Sequence, residues 1–196
     1  MDAIRTFIAI ELPQAILDQL SEIQARLKSA VPGHAMRWVK PDSIHLTLKF
    51  LGQTPDDQIG LITSSMKAGL AGHPAFTLEI SGAGCYPTVQ RPRVIWIGVH
   101  EDQNAKHLSA VQHAVESSIA PLGYPTERRD FSPHLTLGRV SHEVQPADLK
   151  KIGAAIGANA VGLLGRFEVI QVALIRSDLK PHGAVYTILA RAPLKS

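Results

Sequence analysis

Short runs that are apolar on both faces alternate along the chain with longer stretches whose apolar residues return every three or four positions. TFIAIE (6–11) is of the first kind and predicts a buried strand. Ile16, Leu20, Ile23 and Leu27 are of the second kind. They predict a helix opened by Pro13, whose missing N–H is no loss in a first turn, and ended by Val31-Pro32-Gly33. MRWV (36–39) and SIHLTLKFL (43–51) predict strands. Thr54-Pro55-Asp56-Asp57 is a helix start: a capping hydroxyl, a proline, then two acids facing the positive helix end. Ile59, Ile62, Met66 and Leu70 give that helix its stripe, and Gly72 stops it. FTLEIS (76–81) alternates as a half-buried strand, SGAGCYPT is expected to be a loop, and RVIWIGV (93–99) a strand apolar on both faces. Residues 103–119 predict a helix on Leu108, Val111, Val115 and Ile119, closed by Pro121 and Gly123. PHLTLGRV (133–140) predicts a strand, and 147–157 a short helix on Leu149, Ile152 and Ile156. FEVIQVALIRS (167–177) and AVYTILAR (184–191) predict two strands joined by a hairpin turn at DLKPHG.

Roughly eight strands and four helices result, and several links are too short for parallel crossovers. The expected fold is therefore α+β with antiparallel sheets. No linker or low-complexity tract divides residues 1–196, so one domain is expected. Its halves read as two versions of one unit: helix, strands, then a strand spelling HLTL.

Composition narrows the picture. At 45% hydrophobic and 19% charged residues, the chain can bury a core and is not a disordered polymer. A net charge of +3 permits an anionic ligand without requiring nucleic acid. The single cysteine, Cys85, rules out an internal disulfide and fits a reducing cytoplasm. The N-terminal MDAIRTFIAIELP has neither the flanks nor the length of a signal peptide or a spanning helix, so no membrane association is expected.

The repeated tetrapeptide carries the chemistry. His45-Leu46-Thr47-Leu48 returns as His134-Leu135-Thr136-Leu137, 89 positions (134 − 45) later. In a strand the leucines of each copy bury, while the histidine and threonine share the other face. If the halves pack about a pseudo-dyad, two imidazoles and two hydroxyls meet in one cleft. Imidazole titrates near pKa ~6.5, so one ring can serve as base while the other serves as acid. Thr47 and Thr136 offer donors to anionic oxygens, and Arg139 a planar fork for the same oxygens. A phosphoester flanked by acid and base fits this set best. One HLTL alone would be ordinary on a half-exposed strand; two copies in phase change the balance. Lys49 is assigned to the leucine side of its strand. Phe50 and Tyr86 could stack on a base, but they are assigned to core packing, as are Trp38 and Trp96. The remaining histidines have no partner spacing. No Gly-rich phosphate loop and no metal-ligand motif occurs, so no cofactor and no metal are expected.

Paired H-x-T-x motifs resemble the 2H phosphoesterase superfamily. RTFIAIELP, HLTLKFLG, RPRVIWIG, FSPHLTLGR and LIRSDLKPHGAVYTIL resemble its RNA 2′,3′-cyclic phosphodiesterase, or 2′-5′ RNA ligase, family. The resemblance implies a bilobal fold with two pseudo-twofold-related sheets around a central cleft. It implies metal-free hydrolysis of 2′,3′-cyclic phosphate RNA ends to 2′-phosphomonoesters, with His45 as proton donor to the 3′ oxygen, His134 as base on water, and Thr47 and Thr136 on the phosphate. It also implies a 2′-5′ ligation in which a ribose hydroxyl takes part. RNA ends or short oligonucleotides are the expected partners, and the chain is expected to be a cytoplasmic monomer. A non-catalytic RNA-end binding module and a phosphodiesterase of small cyclic nucleotides remain the alternatives.

Overall fold

The computed structural model describes residues 3–101, 106–180 and 183–195. The first half runs β1 (Ala3–Ile10), α1 (Gln14–Ala30), a short β2 (Met36–Trp38), β3 (Leu46–Pro55), α2 (Ile59–Leu70) and β4 (Phe76–Thr88). The second runs β5 (Arg91–His100), α3 (His107–Ile119), β6 (His134–Val140), α4 (Pro146–Ala158), β7 (Leu163–Val169), β8 (Gln171–Lys180) and β9 (Gly183–Pro193).

Each helix forms where its apolar stripe meets a sheet. Ile16, Leu20, Ile23 and Leu27 of α1 are all buried, and burial of such side chains stabilises by about 1.5–3 kcal/mol each. The same holds for Ile62, Met66 and Leu70 of α2 and for Leu108, Val111, Val115 and Ile119 of α3.

All named strand pairings are antiparallel. One sheet has the order β3-β1-β8-β9 and the other β2-β6-β5-β4-β7. The two are built alike, since each HLTL strand (β3, β6) lies beside the first strand of its own half (β1, β5). That strand is then flanked by one from the opposite half: β8 joins β1, and β4 joins β5. Each sheet thus takes strands from both halves, and neither half closes a sheet alone. One apolar core fills the helix-covered faces of both sheets. A smaller cluster of Phe7, Ala9, Ala173 and Ile175, with Tyr186 against it, covers the opposite face of the first sheet.

Four sequence expectations are corrected. Thr54 does not cap a helix: it lies buried in β3, its hydroxyl 2.7 Å from that of Thr6, and α2 opens at Ile59. SGAGCYPT is not a loop but the second part of β4, paired with β5 as far as Thr88. Its glycines mislead because they serve the sheet. Gly82 (φ 73°) sits at a register shift, and a Cβ on Gly84 would lie 2.4 Å from the Trp96 ring. FEVIQVALIRS is two strands, broken at exposed Ile170, where the chain leaves one sheet for the other. Nine strands are therefore present among the described residues. Finally, β3 opens at Leu46, after a 3-10 turn over Pro41–Ser43, so His45 stands at the strand mouth. Pro181 and His182 of the expected hairpin turn, and residues 102–105 of the expected third helix, lie outside the described residues.

Candidate active site

The two HLTL strands share an irregularity that alternation alone does not foretell. In β3, Thr47 faces Ala9 and Lys49 faces Ile8, leaving Leu48 as an extra residue. In β6, Thr136 faces Trp96 and Gly138 faces Ile95, leaving Leu137 as an extra residue. Each copy thus carries a bulge at its second leucine, and a bulge reverses the facing of everything after it. Strict alternation from Thr47 would turn Lys49 toward the histidine face; the bulge turns it to the leucine side instead. By the same reversal, Phe50 and Arg139, each five residues past its histidine, rejoin the histidine face. Leu46, Leu48, Leu135 and Leu137 are all buried.

Both imidazoles are held by one device. His45 Nδ1 lies 2.9 Å from the Ser43 carbonyl, and His134 Nδ1 lies 2.8 Å from the Ser132 carbonyl. A carbonyl only accepts, so Nδ1 carries the proton in each ring and Nε2 is left for proton transfer. The serine two positions before each histidine repeats at the same offset, a signal that the motif reading passed over.

Their surroundings differ. His45 stacks on Phe7 at 4.5 Å between centroids and meets the edge of Tyr186 at 5.2 Å. Burial against these rings pulls its pKa down to about 4, against which the bond to Ser43 acts only in part. His134 meets one aromatic edge, Tyr86 at 5.2 Å, and that phenol lies 2.7 Å from the Ser132 hydroxyl. Tyr86 in turn leans on Trp96, with centroids 5.3 Å apart.

Phe50 is 64% exposed and lies 6.2 Å from Phe7, so it is not a core residue. Tyr86 is likewise turned toward the second histidine, not the core. Thr47 and Thr136 are half-buried, each on its histidine's face, while Arg139 is exposed. Burial raises the Tyr186 phenol, and the charges of Arg5 and Arg139 act on it in the opposite sense. Arg139 of the second sheet therefore stands within electrostatic reach of the ring that touches His45 in the first. β3 and β6 also approach each other directly.

Two buried polar links brace this approach. Lys49 Nζ donates to Glu116 of α3 and to the Pro125 carbonyl at 2.8 Å, at the head of the segment leading to Ser132 and His134. Gln24, fully buried in the stripe of α1, donates to the carbonyls of Val39 (2.7 Å) and Leu137 (2.8 Å). Leu137 is the bulged residue, so a helix of the first half satisfies the bulge of the second. Gln24 breaks an apolar stripe between Leu20 and Leu27, which is the sequence signal that could have flagged it.

Among the described residues, no group of three or more His, Cys, Asp or Glu lies together as a metal site would. No helix of the described residues is long and apolar enough to cross a membrane. A surface concavity of about 410 Å³ lies between residues 10–13 and 167–171 and contains no residue of either motif.

The chain matches the family described as LigT-like phosphoesterase twice, over residues 10–96 and 97–186, one HLTL copy in each match. It is 34% identical over 184 residues to an RNA 2′,3′-cyclic phosphodiesterase of Methanothermobacter thermautotrophicus, covering 94% of this chain and 95% of that one. A protein of the same name from Thermotoga maritima is 31% identical, covering 94% and 92%. Among solved structures, a Thermus thermophilus protein superposes with a TM-score of 0.77 at 26% identity, covering 97% of both chains. Escherichia coli LigT complexed with 3′-AMP superposes with a TM-score of 0.76 at 27% identity, covering 100% of both. A double family match that splits the chain between its two histidine motifs, with relatives of over 30% identity along nearly its whole length, makes this chain a member of the LigT-like phosphoesterases.

Proposed function

We propose that this protein hydrolyses 2′,3′-cyclic phosphate ends of RNA to 2′-phosphomonoesters by acid/base catalysis between His45 and His134. One observation carries the reading: two imidazoles, each with Nδ1 committed to a carbonyl two residues upstream, each free at Nε2, on strands that approach one another. The names of the relatives supply the substrate class.

In the forward reaction His134 Nε2 accepts a proton from water as its oxygen bonds phosphorus. The bond from phosphorus to the 3′ oxygen breaks, and that oxygen takes a proton from His45 Nε2. Thr47, Thr136 and Arg139 hold the non-bridging oxygens. His45 must carry a proton to act so, yet burial holds it down to about 4 in the free protein. A bound phosphodiester anion beside the ring opposes that shift, because a nearby negative charge favours imidazolium. The substrate thus helps to charge its own acid. The same geometry accepts a ribose 5′ hydroxyl in place of water, which would give a 2′-5′ linkage.

The decisive experiment is an end-group assay on an oligoribonucleotide ending in a 2′,3′-cyclic phosphate, with EDTA present. A 2′-phosphate with a free 3′ hydroxyl is the expected product. Binding without turnover would leave an RNA-end binding module, and no engagement at all would end the proposal.

A further inference from the structure

β2 is a three-residue strand on the edge of the second sheet, and its central residue is Arg37. Met36 and Trp38 turn to the core, where both crowd the space above Gly138, at 3.0 and 3.1 Å from a Cβ placed there. Arg37 therefore faces the other way, onto the face that carries His134 and Thr136, and it is exposed. Its cross-strand partner is Arg139. Like charges directly opposite one another destabilise a sheet. Neither guanidinium forms an ion pair with a carboxylate among the described residues, although Arg129, Arg166, Arg176 and Arg191 each do. A charge that only discouraged edge pairing could be a glutamate here, and it would then attract Arg139. Two unpaired guanidiniums side by side on the face that carries His134 and Thr136 are instead half of a complex whose other half is anionic.

Position separates their duties. Arg139 is on the strand of His134 and Thr136 and within electrostatic reach of Tyr186. Arg37 stands one strand further out, a step of about 4.8 Å, away from β5. An anion drawn by Thr136 and Arg139 leaves Arg37 for the next charge along the strand.

We propose that Arg37, beside Arg139, forms a subsite for the phosphodiester adjacent to the terminal cyclic phosphate, so that the cleft prefers an oligonucleotide end to a mononucleoside 2′,3′-cyclic phosphate. This inference rests on the function proposed above and extends it by naming the substrate's length and the residue that reads it.

The test compares kcat/KM for adenosine 2′,3′-cyclic phosphate with that for a tetraribonucleotide ending in the same group, in wild type, Arg37→Gln and a control, Arg26→Gln, on the exposed side of α1. The expected result is a wild-type preference for the tetranucleotide that falls about tenfold in Arg37→Gln, as loss of one charge-assisted contact implies, and stays put in the control. The log-log salt dependence of tetranucleotide binding should flatten by about 0.7 in the same variant, the share of one single-strand phosphate. An equal loss on both substrates would put Arg37 on the scissile phosphate and overturn the subsite, as would an unchanged preference. A wild type that turns over neither substrate would instead remove the proposed function itself.

Discussion

The two HLTL copies have the same sequence, the same bulge and the same serine carbonyl behind the ring, yet they differ wherever a neighbour is supplied by the fold. The first is dry. Phe7, Tyr186 and Phe50 line its face, and its histidine is pulled down to about 4. The second is cationic, with Arg139 on the position that Phe50 occupies in the first and Arg37 beside it. Behind the strands the contrast repeats. The residue after the bulge is Lys49 in one copy, anchored on Glu116 and Pro125. In the other it is Gly138, which leaves room for Met36 and Trp38 of an added strand. The lesson is that a motif sets which atoms share a strand face, while the partners across the sheet set the surroundings of those atoms. The fold thus gives one tetrapeptide two unlike surroundings.

Removing the rings breaks the comparison most severely. His45→Ala and His134→Ala are each expected to lower kcat by about 10²–10⁴, the usual yield of a positioned acid or base, measured on the cyclic-phosphate oligonucleotide. Near-normal turnover in either would dissolve the pairing.

The backs of the strands come next. Lys49→Met leaves Glu116 buried without its partner and is expected to cost about 3–5 kcal/mol in urea unfolding, whereas Lys49→Met with Glu116→Leu should recover much of that. Gly138→Ala, at the matching position, is expected to cost about 1–3 kcal/mol through crowding against Met36 and Trp38. If the two single substitutions proved equally mild, the asymmetry behind the strands would carry no weight.

The aromatic setting of His45 is tested by titration. The His45 ring should show an NMR midpoint near about 4, and Phe7→Ala should move it up toward the ordinary value of about 6.5. Saturating sulfate, an anion that stays charged throughout, should raise it too. The sign for stability follows: folded His45 resists the proton that the unfolded chain accepts, so this ring's contribution is complete above about 6.5 and is lost as pH falls toward about 4. A midpoint unmoved by both Phe7→Ala and sulfate would show that burial does not govern this ring.

The smallest effect sharpens the shared feature. Ser132→Ala keeps the carbonyl that orients His134 but removes the hydroxyl bonded to Tyr86, and a loss of about 1 kcal/mol in stability with a modest fall in kcat is expected. A large fall in kcat would make the Tyr86 contact, not the carbonyl, the element that orients the ring.

Much of this was legible in the chain itself. Helix stripes such as Ile16-Leu20-Ile23-Leu27 and the cores of the HLTL strands follow from spacing, because burial on one side imposes a period that survives any tertiary arrangement. The repeat named the four side chains at the strand faces for the same local reason. The strand hidden in SGAGCYPT was not legible, since its glycines answer to Trp96 on a neighbouring strand. Nor were the bulges, which appear only when a strand is laid against its partner and one residue finds none.

Period, polarity and repetition along the chain determined that the molecule would be antiparallel α+β and would show paired histidines and threonines, because these depend on each residue's own neighbours in sequence. Tertiary structure alone decided that Phe50 turns outward, that His45 is packed between aromatic rings, and that Arg37 stands beside Arg139. Each of those depends on a strand or helix far away in sequence, and desolvation and cross-strand charge exist only once the two are brought together.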